Sequence, residues 1–188
     1  MKLYFLGGSF NPPHLGHLKI AEFCIKQCDL FLFIPTYKSP FKLNQKIVSP
    51  SHRLNMLNLL IQKHDKIKVD SFEIEKEETS YTYKTVEYIK NKYNPSELVM
   101  IIGDDHLEAL NKWKNIDYIY NNCKLICFNR NNIFTKKNLE IEFIKSFNFP
   151  ISSSQIRNNI KQKNILGIKN SLSSKLVDYI LKNKLYEK

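Results

Sequence analysis

The sequence has few glycines and no long apolar segment. Only five of its 188 residues are glycine, and three of them, Gly7, Gly8 and Gly16, lie near the N-terminus. No run of about 18 apolar residues occurs, so the sequence predicts no membrane-spanning helix. The first residues lead directly into the glycine-containing segment and lack the pattern of a signal peptide. We therefore expect a cytoplasmic protein without a membrane partner.

Cysteines are also few, and their spacing excludes the common metal and redox motifs. The four are Cys24, Cys28, Cys123 and Cys127, and neither pair has C-x-x-C spacing. The first pair is predicted to share one face of a helix, and the second pair one face of a strand. These positions favour reduced thiols in the core over a metal site or a disulfide.

Arginine is scarce although the chain is strongly basic. The formal net charge is +11, but only Arg53, Arg130 and Arg157 are arginines among the 29 basic residues. A basic chain could bind nucleic acid, a membrane surface or small anions. The lysines are scattered rather than gathered into one stripe with aromatics, so we predict no nucleic-acid partner. A retained arginine could reflect a need for the planar guanidinium on phosphate, or chance.

Strand and helix patterns alternate along the chain. Residues 30–34 and 99–102 are nearly continuous apolar runs, which suit parallel strands covered on both faces. Alternation of this kind predicts an α/β fold with a doubly wound, mostly parallel sheet and helices on both faces. We expect one domain over residues 1–188, with a C-terminal helical part from about 151 to 188 packed on it. The predicted strands are 2–6, 29–34, 66–74, 97–102 and 124–128, and the predicted helices are 14–27, 50–63, 81–93, 104–112, 153–161 and 173–185.

Two glycine-containing segments follow predicted strands. The turn after the first strand contains Gly7 and Gly8, and Gly103-Asp104-Asp105 follows a later apolar strand. Ligands of such sheets bind beyond the carboxyl ends of the strands, so both segments are predicted at one binding edge. The polar segments 36–49 and 129–138 are predicted loops that could close over a ligand.

The segment 7–17 reads Gly-Gly-Ser-Phe-Asn-Pro-Pro-His-Leu-Gly-His and has the components of a polyphosphate site. It is neither a G-x-x-x-x-G-K-[ST] loop nor a G-x-G-x-x-G fingerprint. Main-chain amides of residues 7–10 could approach a phosphate where glycine removes the side chain. His14 and His17 are predicted on one side of the first helical turn, at the positive end of the helix dipole. A zinc site would need a third ligand, and helix capping by one histidine is a further alternative.

A second phosphate candidate begins a helix near the C-terminus. Ser152 and Gln155 have the spacing of a capping box, which any helix can use. Arg157 lies one turn later, and a helix N-terminus with an arginine can bind an anion. The structural and the binding interpretations are compatible.

Asp104, Asp105 and the single tryptophan form a third candidate. An aspartate after a strand can bind ribose hydroxyls or a metal. It can also cap the following helix and interact favourably with the helix dipole. Trp113 is either a core residue or a stacking platform for a flat ring.

Two segments together resemble signatures of the nucleotidyltransferase superfamily. Segment 7–17 resembles G-G-[ST]-F-[DN]-P-x-H-x-G-H, and segment 151–157 resembles I-S-[ST]-[ST]-x-I-R. Further segments resemble bacterial nicotinate-nucleotide adenylyltransferases, in the family's order and over essentially the whole chain. They are 51–57 (R-x-x-M-L), 80–85 (S-Y-T-x-x-T), 101–105 (I-I-G-x-D) with Trp113, and 177–186 (V-x-x-Y-I…L-Y). The sequence departs from the family at Tyr37 and Phe41, which replace an asparagine and a histidine, and after Arg130, where Asn131-Asn132 replace Pro-Gly.

The resemblance implies a Rossmann-like nucleotidyltransferase that transfers the adenylyl group of ATP to nicotinate mononucleotide. The products would be deamido-NAD and pyrophosphate, in a step of NAD biosynthesis. The implied catalytic residues are His14, His17 and Arg157. The implied ATP-binding residues are Gly7, Gly8, Ser9, Phe10, His14, Gly16, His17, Gly103, Asp105, Ile151, Ser152 and Arg157. The implied nicotinate-nucleotide-binding residues are Lys42, Thr82, Asp105, Trp113 and Arg130.

The same resemblance implies Mg²⁺ bound mainly through the substrate phosphates, with no metal ion held by protein side chains. Nicotinamide mononucleotide or another phosphate acceptor such as phosphopantetheine is the alternative substrate, although Thr82 and Trp113 argue against phosphopantetheine. A non-catalytic nucleotide-binding module is the alternative of a different class, and the intact histidines argue against it. A homo-oligomer is compatible with the sequence, and Arg53 could be structural.

Overall fold

The structure is a computed structural model that describes residues 1–41, 47–62, 64–128, 141–144 and 150–187. Its strands are β1 (Lys2–Gly8), β2 (Leu30–Pro35), β3 (Ile67–Val69), β4 (Glu97–Gly103), β5 (Lys124–Phe128) and β6 (Ile141–Ile144). Its helices are α1 (Leu15–Cys24), α2 (Pro50–Ile61), α3 (Phe72–Glu75), α4 (Thr82–Tyr93), α5 (Ile116–Asn122), α6 (Ser153–Lys161), α7 (Leu166–Lys169) and α8 (Ser174–Lys182). A 3-10 helix spans Asp104–Lys112.

The described strands form one parallel sheet in the order β3-β2-β1-β4-β5-β6. This confirms the predicted α/β, doubly wound, Rossmann-like fold. The strand order reverses between β1 and β4, where Leu6 pairs with Ile101. Ligands of doubly wound sheets bind beyond the carboxyl ends of the strands at this switch point. The segments after Gly8 and Gly103 therefore lie at the predicted edge.

The sheet is buried on both faces. Leu3 and Phe5 of β1 join one core cluster, which includes Val86 of α4. Tyr4 of the same strand joins the opposite cluster, which includes Ile20 of α1. Successive side chains of a strand point to opposite faces, so a strand covered on both faces needs apolar residues at nearly every position.

A third core cluster joins the C-terminal helices to α2. Met56 of α2 packs with Ile156 of α6 and with Leu176 and Ile180 of α8, all of them nearly or completely buried. The start of α6 is thereby fixed relative to the helix that follows β2. Burial of each such side chain stabilises the fold by about 1.5–3 kcal/mol.

Strand β3 is shorter than predicted. The prediction of a strand over 66–74 is wrong beyond Val69, and Phe72–Glu75 forms α3 instead. Asp70 supplies the reason, because its Oδ1 accepts a hydrogen bond at 3.0 Å from the main-chain amide of Phe72. Such a side-chain-to-backbone bond two residues along the chain replaces strand pairing by a turn.

Helix α1 is also shorter than the predicted 14–27, because it ends at Cys24. Cys28 lies beyond it and Cys123 lies just before β5, so these two residues are outside the predicted helix and strand. Each pair still packs into one core cluster on one side of the sheet. All four cysteines are nevertheless buried thiols, which confirms that part of the prediction. Burial raises the pKa of Cys123 to about 12, and a thiol of that kind is inert near neutral pH.

The apolar pattern misses α5, α7 and β6. The segment 104–112 forms a 3-10 helix whose N-cap is Gly103, so Asp104 does not have the alternative capping role. The predicted loop 129–138 and residues 42–46 of the other predicted loop lie outside the described residues. In the part of the chain that the structure describes, no helix combines the length and apolarity needed to cross a membrane.

Candidate active site

Phe10 fixes the turn between β1 and α1. Its φ angle is 47°, in the left-handed region that a bulky side chain rarely adopts. The buried ring meets the Phe33 ring edge to face at 5.4 Å and the His17 ring at 5.1 Å between centroids. These ring contacts offset a strained backbone, and such strain is concentrated at functional sites.

The three N-terminal glycines differ in the space that surrounds the position of a Cβ atom. A Cβ atom on Gly8 would approach the Phe10 ring to 3.3 Å, and one on Gly16 would approach the His14 ring to 3.0 Å. Ring packing within the segment therefore favours glycine at these two positions. Among the described residues, no atom beyond the chain neighbours of Gly7 lies within 4 Å of a Cβ atom placed there. Of the three glycines, Gly7 alone has the open space that was predicted for the whole turn.

His14 and His17 stack at the start of α1, as their spacing predicts. Their ring centroids are 3.7 Å apart and the ring planes differ by 29°. The His14 amide donates a hydrogen bond to Nδ1 of His17 at 3.2 Å. In a neutral imidazole an accepting Nδ1 leaves the proton on Nε2. His17 therefore both takes part in capping the helix and carries an Nε2–H donor suited to an anion.

The two signature segments meet through the start of α6. Ser153 Oγ donates to the main-chain oxygen of Pro12 at 2.8 Å, and Arg157 Nη1 donates to that of Asn11 at 2.8 Å. Ser152 caps the helix by accepting a main-chain hydrogen bond at 3.1 Å, as the capping box predicts. The positive end of the α6 dipole thus lies beside the histidine-containing turn.

The other predicted ATP-binding residues of these segments lie at the same junction. Ile151 Cβ is 3.8 Å from the position that a Cβ atom on Gly16 would occupy. The main-chain oxygen of Ser9 accepts a hydrogen bond from Arg53 at 2.9 Å. The sequence places these residues in motifs, and the fold brings the motifs together.

Arg53 is a buried structural residue, 1% exposed. Its guanidinium donates to the main-chain oxygens of Ser9 at 2.9 Å, Thr36 at 2.6 Å, Tyr37 at 3.4 Å and Val48 at 3.3 Å. These bonds join the turn after β1 to the segments on either side of residues 38–47. Burial lowers the pKa of the guanidinium, and the carbonyl dipoles compensate part of the lost hydration.

Gly103 and Asp105 lie beyond β4, next to β1. Gly103 ends the strand and pairs with Phe128 of β5. The Asp105 side chain is 65% exposed, and its Oδ2 lies 3.8 Å from Nε2 of His106. The carboxylate is therefore accessible at the switch point, as the strand-end position predicts.

The acceptor-side candidates Thr82 and Trp113 lie in neighbouring segments. Thr82 is the first residue of α4, and Trp113 follows the 3-10 helix. Lys114 Nζ lies 4.9 Å from the centre of the Tyr81 ring, which brings the two segments together. The half-buried Trp113 packs against the core, and its indole N–H is buried without a hydrogen-bond partner among the described residues. The position of Trp113 is therefore compatible with a core residue and with a residue that stacks on a ligand ring.

Lys42 and Arg130 fall outside the described residues. Of the two family departures near Lys42, Phe41 is 54% exposed. Tyr37 contributes its main chain, because its amide donates to Ser80 Oγ at 3.1 Å.

A cavity of about 420 Å³ opens beside α3 and the start of α4. Its lining includes Phe72, Glu73, Tyr81 and Tyr83, so it adjoins the acceptor-side candidate Thr82.

Asn11 and Glu73 are among the buried polar residues to which sequence motifs assign no role. Asn11, 7% exposed, accepts hydrogen bonds at Oδ1 from the Val48 amide at 3.3 Å and from Tyr186 at 3.0 Å. Glu73, also 7% exposed, accepts a hydrogen bond from Thr85. The position of Asn11 inside the first signature could have indicated importance. Glu73 gave no such signal, because it falls in a segment predicted as a strand.

Residues 5–159 match the family model described as cytidylyltransferase-like. "Nicotinate-nucleotide adenylyltransferase" of Bacillus subtilis is 34% identical over 188 residues, covering 99% of this chain and 98% of that protein. "Probable nicotinate-nucleotide adenylyltransferase" of Clostridium tetani is 35% identical over 200 residues, covering 98% of each chain. Among solved structures, Plasmodium falciparum nicotinic acid mononucleotide adenylyltransferase complexed with NaAD superposes with a TM-score of 0.83 at 20% identity, covering 99% of this chain and 97% of that chain.

The parallel sheet with its glycine–histidine turn defines a nucleotidyltransferase. The chain belongs to the cytidylyltransferase-like family and, within it, to the nicotinate-nucleotide adenylyltransferases.

Proposed function

We propose that this chain transfers the adenylyl group of ATP to nicotinate mononucleotide, giving deamido-NAD and pyrophosphate in a step of NAD biosynthesis. The curated relatives carry that activity in their names. The observation that carries the proposal is the contact of Arg157 with Asn11 at 2.8 Å, which joins the two phosphate candidates. One set of donors can then hold the triphosphate of ATP.

The reaction needs no protein nucleophile. A phosphate oxygen of the nicotinate nucleotide attacks the α-phosphorus of ATP in line, and the bond from that phosphorus to the β-phosphate oxygen breaks. Positioning and charge stabilisation then supply the catalysis. In this proposal His14 and His17 hold the ATP phosphates and the leaving pyrophosphate, and Ser152 and Arg157 bind the distal phosphates.

On the ATP side, the main chain of residues 7–10 and the open space at Gly7 receive the phosphates. Gly103 and Asp105 contact the ribose and adenine. On the acceptor side, Trp113 stacks on the pyridine ring, and Thr82, Asp105, Lys42 and Arg130 contact the rest of the nucleotide. The neighbouring positions of Thr82 and Trp113 support this assignment.

We propose that Mg²⁺ enters with ATP. Among the described residues, no group of three His, Cys, Asp or Glu side chains could hold a metal ion. Mg²⁺ usually keeps several waters and binds through substrate phosphates, a mode that needs no such group. When bound, the ion neutralises phosphate charge.

Release of pyrophosphate tests the function. Purified protein is incubated with ATP and nicotinate mononucleotide, nicotinamide mononucleotide or phosphopantetheine, with an acceptor-free control. Fast release with nicotinate mononucleotide alone supports the proposal, and preference for another acceptor reassigns the substrate. No release with any acceptor would indicate a nucleotide-binding module. A binding site distinguishes the acid acceptor from the amide acceptor by only a few hydrogen bonds. The rate of pyrophosphate release is therefore measured over a full saturation curve for each of the two acceptors.

The same proposal includes a cytoplasmic location and no nucleic-acid partner, in keeping with the scattered lysines. It also includes one domain over residues 1–188, which the cluster shared by α2, α6 and α8 favours.

A further inference from the structure

A buried carboxylate lies directly under the acceptor-side segment. Glu73 accepts a hydrogen bond from the hydroxyl of Thr85, one turn after Thr82 in α4. Burial raises the pKa of this carboxyl, while the hydrogen bond from Thr85 and the charge of Arg53 act in the opposite direction. Glu73 therefore anchors the start of α4, which Ser80 precedes by two residues.

Ser80 continues this network toward the segment after β2. Its hydroxyl oxygen accepts a hydrogen bond from the Tyr37 amide at 3.1 Å. Its own amide donates to the main-chain oxygen of Lys38 at 2.9 Å, and Lys38 forms an isolated bridge with Thr79. The acceptor-side segment is thus aligned along residues 37–38 by directional hydrogen bonds.

Arg53 completes the network on the ATP side. It binds the main-chain oxygens of Thr36 and Tyr37 at 2.6 and 3.4 Å, and that of Ser9 at 2.9 Å. The Thr36 amide in turn donates to the main-chain oxygen of Gly8 at 2.9 Å. Hydrogen bonds therefore connect the glycine–histidine turn, through residues 36–38, to Ser80, two residues before α4.

We propose that Arg53 and Glu73 are positioning residues that set the distance between the ATP phosphates and the acceptor nucleotide, acting through the main chain of residues 36–38. The inference rests on the proposed function. Neither side chain needs to touch a substrate for this role. In-line transfer requires the attacking oxygen about 3–3.5 Å from phosphorus, and a displacement of about 1 Å can cost roughly 100-fold in rate.

The first test separates positioning from stability. Arg53→Lys keeps the charge but loses the planar fork that reaches several carbonyls at once. We expect kcat to fall about 10-fold or more, with KM for ATP changed less than about threefold. Ile119→Ala is the control, because Ile119 lies fully buried in α5, a helix outside the network and without proposed site residues. Its melting temperature should fall while kcat stays near the wild-type value.

The second test asks whether the two ends of the network are coupled. Thr85→Val removes the hydroxyl that binds Glu73 and keeps the shape of the side chain. If each single variant lowers kcat about 10-fold, the double variant with Arg53→Lys should lose about 10- to 30-fold, because the substitutions share one network. A loss near 100-fold, the product of independent effects, would overturn the proposal. Should Arg53→Lys fail to fold, Ser80→Ala replaces it in the same cycle.

The activity of the wild-type protein distinguishes a failure of the proposed function from a failure of the positioning role. Absence of pyrophosphate release by wild type with every acceptor would reject the proposed function. Normal wild-type activity, with Arg53→Lys and Ile119→Ala losing kcat equally at equal loss of stability, would reject the positioning role alone.

Discussion

Arg157 Nη1 and the main-chain oxygen of Asn11 lie 2.8 Å apart, although the two residues are separated by 146 positions in the chain. The guanidinium also donates to Ser154 Oγ at 3.0 Å from Nη2. The bond to Asn11 orients Arg157 before any ligand arrives. An oriented arginine loses less side-chain entropy when it binds a phosphate. This contact brings the two phosphate-site candidates together.

Replacement of His17 by alanine should lower kcat by about 100-fold, the scale expected when one preorganised donor is lost. The Nε2–H donor inferred from the His14 amide bond is removed with the ring. Steady-state kinetics at saturating ATP measure the effect. His64→Ala is the control, because His64 pairs with Glu22 on the surface at 3.3 Å. Turnover near the wild-type value in His17→Ala would exclude the proposed role.

Gly7→Ala should leave folding unchanged and weaken ATP binding. Among the described residues, no atom beyond the chain neighbours lies within 4 Å of the added Cβ, so we expect an unaltered melting temperature. If phosphates approach the main chain here, the methyl group should raise KM for ATP about 10-fold, a loss of about 1.4 kcal/mol. Gly16→Ala is the comparison, since its Cβ would meet the His14 ring at 3.0 Å. An unchanged KM for ATP in Gly7→Ala would place the phosphates elsewhere.

Trp113→Ala should raise KM for the nicotinate nucleotide about 10- to 100-fold, because stacking of a flat ring is worth about 1–3 kcal/mol. KM for ATP should change little. Initial rates with each substrate varied in turn give both values, and Trp113→Phe serves as the control that keeps an aromatic ring. Equal increases for ATP and the acceptor would instead assign Trp113 to the core.

Asp70→Asn should destabilise the fold in a pH-dependent manner. Burial alone would raise the pKa of Asp70, but hydrogen bonds from Tyr93, Lys92 and the Phe72 amide outweigh it and lower the pKa. A lowered native pKa stabilises the fold at pH values above the unfolded pKa of about 3.9, and this contribution is lost as pH falls through the native value. We expect a loss of about 1–3 kcal/mol at pH 7.

Urea unfolding of wild type and Asp70→Asn at pH 7 and pH 3 checks this sign. The difference in free energy of unfolding should be smaller at pH 3, where the wild-type carboxylate begins to protonate. Asp178→Asn, at an exposed position of α8, should show almost no difference at either pH. A difference for Asp70→Asn that is the same at both pH values would show that its charge contributes nothing.

Local sequence patterns predict much of the fold because periodicity is a local property. The apolar runs at 30–34 and 99–102 indicate buried parallel strands, and the structure pairs both with β1. The strand predicted over 66–74 is wrong beyond Val69 for a physical reason as well. The segment 66–74 has strand-like composition, yet the side chain of Asp70 binds the Phe72 amide and groups on α4. Such distant partners leave no trace in a short window of sequence.

The sequence by itself determined the strand–helix alternation, the glycine–histidine turn and the start of α6, because these depend on side-chain period and on the backbone needs of neighbouring residues. Only the tertiary structure decided what Arg53 and Glu73 contact, and which glycine leaves open space. Gly8 and Gly16 accommodate rings of the same segment, whereas Gly7 does not. The partners of a buried polar group are chosen by packing between distant segments, so the fold had to be known before they could be assigned.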